Sequence, residues 1–316
     1  MEGLILLYYL RIFSFTLLIF LFFFCYLFFI KEIKLINSTI EIKKNQSNTS
    51  IVRLNISNLN YFESFVTELY FLFHSRFIDK IHYGKFVFSE KINLHKFLKK
   101  ITNPSNFVLK ITIVEGWNKN ELDKLLKSNF DKFSSIEYNY ALADTYFLHS
   151  YENFDSLLKK INNLITDIKK KYNDHELLKK FSFDEIVIIG SLLEKEGIDD
   201  LDKKIIFSVI QNRLNKNMKL QIDATTIYAI TEGKFKLNRK LSYKDLEIKH
   251  PYNTYFIYGL PPTPISYVGK KTIELIFENY KSNYLFYFYN NIAKKHIYSE
   301  TFIEHKRKLS EYRDKK

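Results

Sequence analysis

The order of apolar and polar positions divides the chain into three regimes. From Ile12 to Ile30 the residues are apolar except for Ser14 and Thr16. As a helix rising 1.5 Å per residue this run spans roughly 28 Å, close to the ~30 Å hydrocarbon thickness of a bilayer. Arg11 and Lys31 bracket it and no small-x-small cleavage pattern follows. The pattern therefore predicts an uncleaved transmembrane anchor over residues 12–30, behind a short tail of residues 1–11. Residues 31–50, ending in INSTIEIKKNQSNTS, are polar and rich in Asn and Ser, and read as a linker or a loosely held first strand.

In the second regime, up to about residue 130, a short alternating strand followed by a helical pattern recurs three times. IVRLNI (51–56) leads into YFESFVTELYFLF, GKFVF (84–88) into LHKFLKKI, and LKITIV (109–114) into NELDKLLKSNF. Strands are read from the period of two and helices from spacings such as Leu122, Leu125 and Leu126. The unequal intervals exclude a solenoid and predict small α/β units packed together.

The third regime is mainly helical. A pattern from Phe154 to Tyr172 places Leu157, Leu158, Ile161 and Leu164 on one face. FSFDEIVIIGSLLEKEG (181–197) opens with a capping box, Ser182 to Glu185, and is apolar on almost every side from Ile186 to Leu193, which predicts a buried helix. It ends in Glu194, Lys195 and Glu196. A buried helix that delivers carboxylates at its end either pairs them with Lys or Arg or uses one for proton transfer. Another helix is expected over Lys203–Leu214, and KLQIDATTIYAI (219–230) sets Gln221, Asp223, Thr225 and Thr226 just before a short one. The loop HPYNTYFIYGLPPTPIS (250–266) holds four of the five prolines, which fix its backbone as a cleft wall. YLFYFYN (284–290) reads as a strand, and HIYSETFIEHKRKLSEY as a strand end and a last helix beginning near Ser299. Gly116 permits a tight turn in Glu115–Trp117, where Trp117 is either a core residue or a platform for a sugar ring.

Composition narrows the partners. The net charge of +13 comes from scattered lysines with no accompanying DNA or RNA motif, so nucleic acid is excluded, while attraction to anionic lipid or an acidic polymer is permitted. The single cysteine, Cys25, lies in the apolar run and excludes an intrachain disulfide. One Cys with scattered His residues offers no metal-ligand spacing, and no cofactor is implied.

The segments ITIVEGWNKNEL, LADTYF, IIGSLLEKEG, VIQNRLNKNMKLQIDATTIY, HPYNTYFIYGLPPTPIS and HIYSETFIEH occur in an order and spacing that resemble the YceG-like (MltG) family of endolytic murein transglycosylases, over about residues 109–309. The resemblance implies an α+β protein: a transmembrane helix, a small LysM-like α/β module over 51–105, and a mixed α/β YceG-like catalytic domain over 106–316. There are departures. Asp223-Ala224-Thr225 stands where the family has Asp-Pro-Thr, Thr263 where it has Gly, and Tyr267-Val268-Gly269 where it has Asn-Pro-Gly.

What the resemblance implies chemically is nonhydrolytic cleavage of the MurNAc–GlcNAc bond in peptidoglycan glycan strands by a lyase with one essential carboxylate. That role maps onto Glu194. It would protonate the glycosidic oxygen and then take the proton of the muramic C6 hydroxyl as that oxygen attacks C1, leaving a 1,6-anhydro end. Residues two apart on a helix point about 200° apart, so only one of Glu194 and Glu196 can face a given cleft. Glu194 shares its face with Gly190, which would leave room for substrate, and Glu196 is then a structural partner of a nearby Lys or Arg. Gln221, Asp223, Tyr252, Asn253 and Tyr255 are candidates for binding substrate, Arg213 for holding Asp223, and His305 for orienting a loop. The implied location is the inner (plasma) membrane, single-pass, with the catalytic domain in the periplasm and peptidoglycan synthases as partners. The basic residues run the other way, since Lys31, Lys34, Lys43 and Lys44 follow the span and Arg11 precedes it. Two other readings remain open: a membrane-anchored peptidoglycan-binding scaffold for wall synthases, and a hydrolytic muramidase.

Overall fold

The computed structural model describes residues 2–89, 91–105, 107–149 and 152–314, excepting the side chains of Glu2, Gly3, Leu4 and Leu6. The chain is a mixed α/β protein that divides into two units, Met1–Leu109 with Phe147–Glu152, and Lys110–Tyr146 with Asn153–Lys316.

The first unit contains helix α1 (Glu2–Cys25), which widens into a π-type turn over Tyr26–Ile30, then β1 (Glu32–Ile33), β2 (Thr39–Ile42), α2 (Asn48–Asn55), α3 (Tyr61–Phe77), β3 (Gly84–Val87), β4 (Ile92–Asn93) and α4 (Leu94–Ile101). β2 pairs antiparallel with β3, and β1 with β4. The segment Leu7–Ile30 is long and apolar enough to cross a membrane, but its end is shared. Leu27 and Phe28 are buried in a core with Ile40, Phe71, Phe86 and Phe97.

Two expectations are corrected here. Ile51–Ile56, read as a strand, lies mostly in helix α2, whose N-cap Ser47 accepts a hydrogen bond from the Ser50 N–H. The adjacent residues Ile51 and Val52 are both buried. A strand would send them to opposite faces, whereas a helix turns both toward one core. Of the two readings of residues 31–50, the linker gives way to the strand: the segment carries β1 and β2, and Ile33, Ile40 and Ile42 are buried core residues.

The chain passes between the units within β5 (Val108–Thr112) and, after α5 (Lys119–Asn129) and β6 (Leu142–Ala143), within β7 (Thr145–His149). The second unit continues with α6 (Phe154–Lys171), α7 (Phe183–Glu196), α8 (Asp200–Asn215), α9 (Asp223–Thr231), α10 (Tyr243–Leu246), β8 (Val268–Gly269), α11 (Lys270–Phe277), β9 (Phe286–Asn290), β10 (Lys295–Ser299) and α12 (Phe302–Arg313). Its central element is α7, which packs against α8, α9, α11 and β8. The capping box forms: Ser182 Oγ accepts from the Glu185 N–H at 3.2 Å, and Glu185 Oε2 from the Ser182 N–H at 2.8 Å. Every residue from Ile186 to Leu193 is buried, as its all-round apolar pattern requires.

β8 runs parallel to β6, with Leu142 opposite Val268 and Ala143 opposite Gly269. β9 and β10 form an antiparallel hairpin. The Glu115–Trp117 turn, with Gly116 at φ +77°, is clamped beside β8. The Gly116 N–H donates to the Tyr267 carbonyl at 2.9 Å, and the Tyr267 N–H to the Trp117 carbonyl at 2.9 Å.

Candidate active site

The two carboxylates at the end of α7 have opposite surroundings. Glu194 points into the packed side of the helix, where its side chain is 3% exposed. Its Oε2 is 2.6 Å from Lys203 Nζ on α8, and its Oε1 accepts from the Gly269 N–H at 3.0 Å. Lys203 also donates to Thr272 Oγ1 on α11 at 2.9 Å. Both carboxylate oxygens thus hold the ends of α8 and α11 against α7. Glu194 and Lys203 form a buried ion pair at the junction of the three helices. The room expected beside Gly190 is also filled: a Cβ there would lie 2.6 Å from Val268 Cγ1, so the glycine serves the close approach of α7 and β8.

Glu196, two residues on, turns to the other side and has no cationic Lys or Arg as hydrogen-bonding partner among the described residues. Its carboxylate accepts the backbone N–H of Ala224, in the first turn of α9, and the Tyr287 hydroxyl of β9 at 3.4 Å. Burial pushes its carboxyl up from the usual range and the negative charge of Asp223 adds to this, outweighing the Ala224 N–H, His296 and Tyr287, which act the other way. Glu196 is therefore the carboxyl of this helix held toward its acid form. Behind it, His296 Nδ1 lies 2.9 Å from Asp202 Oδ2, and Tyr298 donates its hydroxyl to the same carboxylate. Burial pushes Asp202 up, but the hydrogen bonds from His296, Tyr298 and the Ile198 N–H prevail and hold it low. The Tyr287 ring stands edge-on to His296, centroids 5.2 Å apart.

Beside Lys195 and Ala224, the chain neighbours of Glu196 and Asp223, a cleft of about 510 Å³ opens, walled also by Gly116, Tyr228, Phe235 and Ile265. None of the five residues expected to bind substrate is itself among its lining residues. Asp223 is exposed and accepts the Tyr255 hydroxyl at 2.6 Å. Gln221 is exposed with its backbone at φ +49°, a left-handed conformation that a non-glycine residue holds at a cost of about 1–3 kcal/mol. Tyr252 stacks obliquely on Tyr228, centroids 4.8 Å apart, and shares a hydrogen bond of 2.5 Å with Thr263 Oγ1. Asn253 is different. It is 0% exposed, its Oδ1 accepts from Thr226 Oγ1 and the Tyr255 N–H, and its Nδ2 donates to the Leu246 and Ile248 carbonyls. With all four bonds spent internally, it builds the loop and has none left for a ligand.

Two supporting expectations also change. Arg213 does not hydrogen-bond Asp223. Its guanidinium donates to the carbonyls of Lys219, Leu220 and Leu285 and covers the Phe286 ring. His305 packs on α12 among Phe286, Phe288 and Phe302, away from any loop it could orient by hydrogen bonding among the described residues. Tyr287, His296 and Asp202 were not singled out from the sequence. The first two lie in the noticed segments YLFYFYN and HIYSE, but nothing local marks them as reaching Glu196.

Fold and site together define a mixed α/β protein organised around a buried helix that carries two carboxyls of opposite surroundings at its C-terminus, near an open cleft. The family to which the chain belongs follows from comparison with known proteins: the YceG-like family matches residues 40–311, and this chain is a member of it. It is 34% identical over 160 residues to the endolytic murein transglycosylase of Bacillus subtilis (strain 168), covering 50% of this chain and 41% of that protein. It is 30% identical over 194 residues to the endolytic murein transglycosylase of Streptococcus pneumoniae serotype 2 (strain D39), covering 60% of this chain and 35% of that one. The matches thus span less than half of either relative. A crystal structure of a YceG-like protein from Listeria monocytogenes superposes with a TM-score of 0.53 at 25% identity, over 85% of this chain and 97% of that one.

Proposed function

We propose that this chain is a membrane-anchored endolytic lytic transglycosylase that cleaves the MurNAc–GlcNAc bond of nascent peptidoglycan strands and limits their elongation, with Glu196 as its proton donor. The observation that carries the reading is the Glu196 carboxyl, pushed toward its protonated form by burial and by Asp223, next to the cleft that Ala224 lines. A neutral polysaccharide needs protonation of a poor leaving oxygen, and a carboxyl with a raised pKa supplies it near neutral pH.

In this mechanism Glu196 gives its proton to the glycosidic oxygen as the C1–O bond breaks. The carboxylate that remains is steadied by the Ala224 N–H and Tyr287, and accepts the proton of the muramic C6 hydroxyl while O6 bonds to C1. The nucleophile belongs to the same ring, so orientation replaces a second carboxylate. Asp223, Tyr255, Gln221 and Tyr252 line the substrate's approach, whereas Asn253 and Glu194 hold the scaffold. The first unit acts as the anchor and as a LysM-like glycan-binding module, and the second as the catalytic domain. The chain sits in the plasma membrane with that domain on the outer side, within reach of the synthases that make the strand.

One observation favours a second reading. Asp223 is close enough to raise Glu196 electrostatically, and two neighbouring carboxylates are also the equipment of a hydrolytic muramidase. Mass spectrometry of purified glycan strands treated with the full chain separates these outcomes. Anhydro-ended fragments from the wild type, lost in Glu196→Gln, are expected. Reducing ends would instead identify a muramidase, and uncut strands would favour a binding scaffold.

A further inference from the structure

Helix α3 is apolar on its outward face as well as its inward one. A helix at a water-facing surface turns its polar stripe outward and its apolar stripe inward. Along α3, the buried face carries Glu63 and Thr67 beside Val66 and Phe71, so the helix's polar groups are spent inward with part of its apolar ones. Lys31 Nζ donates to the two Glu63 oxygens at 2.6 and 2.7 Å, and Thr67 Oγ1 donates back to the Glu63 carbonyl. The outward stripe is Phe62, Phe65, Leu69, Leu72, Phe73 and Phe77, each exposed by between 49% (Phe65) and 68% (Phe77). These positions follow the three-and-four spacing of a single helix face. Six half-exposed side chains of this size present on the order of 600 Å² of apolar surface, the upper end of what a monomer leaves in water.

The stripe is continuous with α1. The Phe23 ring lies 5.5 Å from Phe62 and the Phe24 ring 5.3 Å from Tyr70. Phe20 and Phe24 share a groove of about 350 Å³ with Phe62, Phe65, Leu69 and Tyr70. Phe20 stands seven residues before Leu27, where the apolar segment enters the protein core, or roughly 10 Å along a helix, within a hydrocarbon core ~30 Å thick. Side chains that share a groove with Phe20 are at hydrocarbon depth too.

We infer that α3 lies within the bilayer leaflet on the side of the first unit, with the Phe62–Phe77 stripe against lipid acyl chains. The inference rests on the reading of α1 as a membrane span. The first unit is then a wedge sunk into the leaflet. Lys31 and Glu63 close its polar seam at the interface, and Arg76, exposed near the end of the stripe, reaches its long stem toward the phosphates.

The test uses the full chain in vesicles of equal parts phosphatidylcholine and phosphatidylglycerol. Cys25 is replaced by Ser and single cysteines are placed at Leu69, Leu72, Leu17 or Lys44 for nitroxide labelling. Relaxation by oxygen, which concentrates in hydrocarbon, is compared with relaxation by a water-soluble nickel chelate. Labels at Leu69 and Leu72 are expected to favour oxygen several-fold, as Leu17 in α1 does, and Lys44 to favour nickel. A nickel preference at Leu69 and Leu72 with oxygen preference at Leu17 would overturn the placement of α3 alone. Protection from both reagents would overturn it in favour of protein contact, by a second copy or a partner helix. A nickel preference at Leu17 would remove the anchor itself.

Discussion

Replacing Glu194 and Glu196 separately by Gln should divide stability from chemistry. Glu194→Gln leaves Lys203 buried with only the Thr272 hydroxyl opposite it, and breaking a buried pair in this way costs about 3–5 kcal/mol. For a unit of this size each kcal/mol lowers the midpoint by roughly 2–4 °C, so a fall of roughly 6–20 °C is expected. Glu196→Gln should move the other way. The folded-state pKa of Glu196 is raised, so its contribution to stability is fully present below the unfolded value near 4.5 and is lost as pH rises through the folded one. At pH 7 the charge is therefore a penalty that Gln relieves, and the advantage of the variant should disappear on acidification to about pH 4. The assay pairs thermal unfolding across this pH range with anhydro-end formation, measured well below the lower midpoint. Glu194→Gln should still cleave while folded, and Glu194→Leu with Lys203→Met should recover much of the lost stability, because the charged pair is replaced whole. Glu196→Gln should be stable and slower by about 10²–10⁴. A Glu194→Gln protein with the wild-type midpoint and no cleavage, beside a Glu196→Gln protein that cleaves, would refute the reasoning.

Asp223→Asn removes the negative neighbour that raises Glu196, so the alkaline limb of the pH–rate profile should move to lower pH; an unmoved limb would show that Asp223 does not act on the acid. Asn253→Ala strands the Thr226 hydroxyl, the Tyr255 N–H and two carbonyls, and should cost about 2–4 kcal/mol in chemical unfolding with KM unchanged while folded; a raised KM at full stability would return Asn253 to the substrate. Gln221→Gly relieves a left-handed backbone, so stability should hold or rise by about 1 kcal/mol, while KM for glycan strands increases because the amide is gone. An unaltered KM would leave Gln221 as a turn residue only. Gly190→Ala puts a Cβ 2.6 Å from Val268 Cγ1 and should destabilise by about 1–3 kcal/mol, with Val268→Ala in the same chain restoring part of it; the absence of any such recovery would locate the strain elsewhere.

The elements that local sequence determines came through with nearly their expected bounds. The α7 capping box and its all-round burial, α6 from Phe154, and α4 and α5 each depend on neighbours within one or two helical turns, and those neighbours are written in order. Where only residues far along the chain decide, the pattern misleads. Ile51–Ile56 alternates well enough to pass for a strand until its packing partners claim both Ile51 and Val52, and the polar segment 31–50 becomes sheet only because β3 and β4 arrive to pair with it. The site follows the same rule. The helical geometry of α7 determined that Glu194 and Glu196 face opposite ways, and a carboxylate beside a cleft was legible from EKEG. The proposal of Glu196 over Glu194 rests on Lys203, Gly269 and Thr272 closing on one side and on Ala224, Asp223 and Tyr287 meeting on the other. The proton affinity of a carboxyl is determined by the charges and dipoles around it, and those reach Glu196 from residues as far along the chain as Tyr287 and His296.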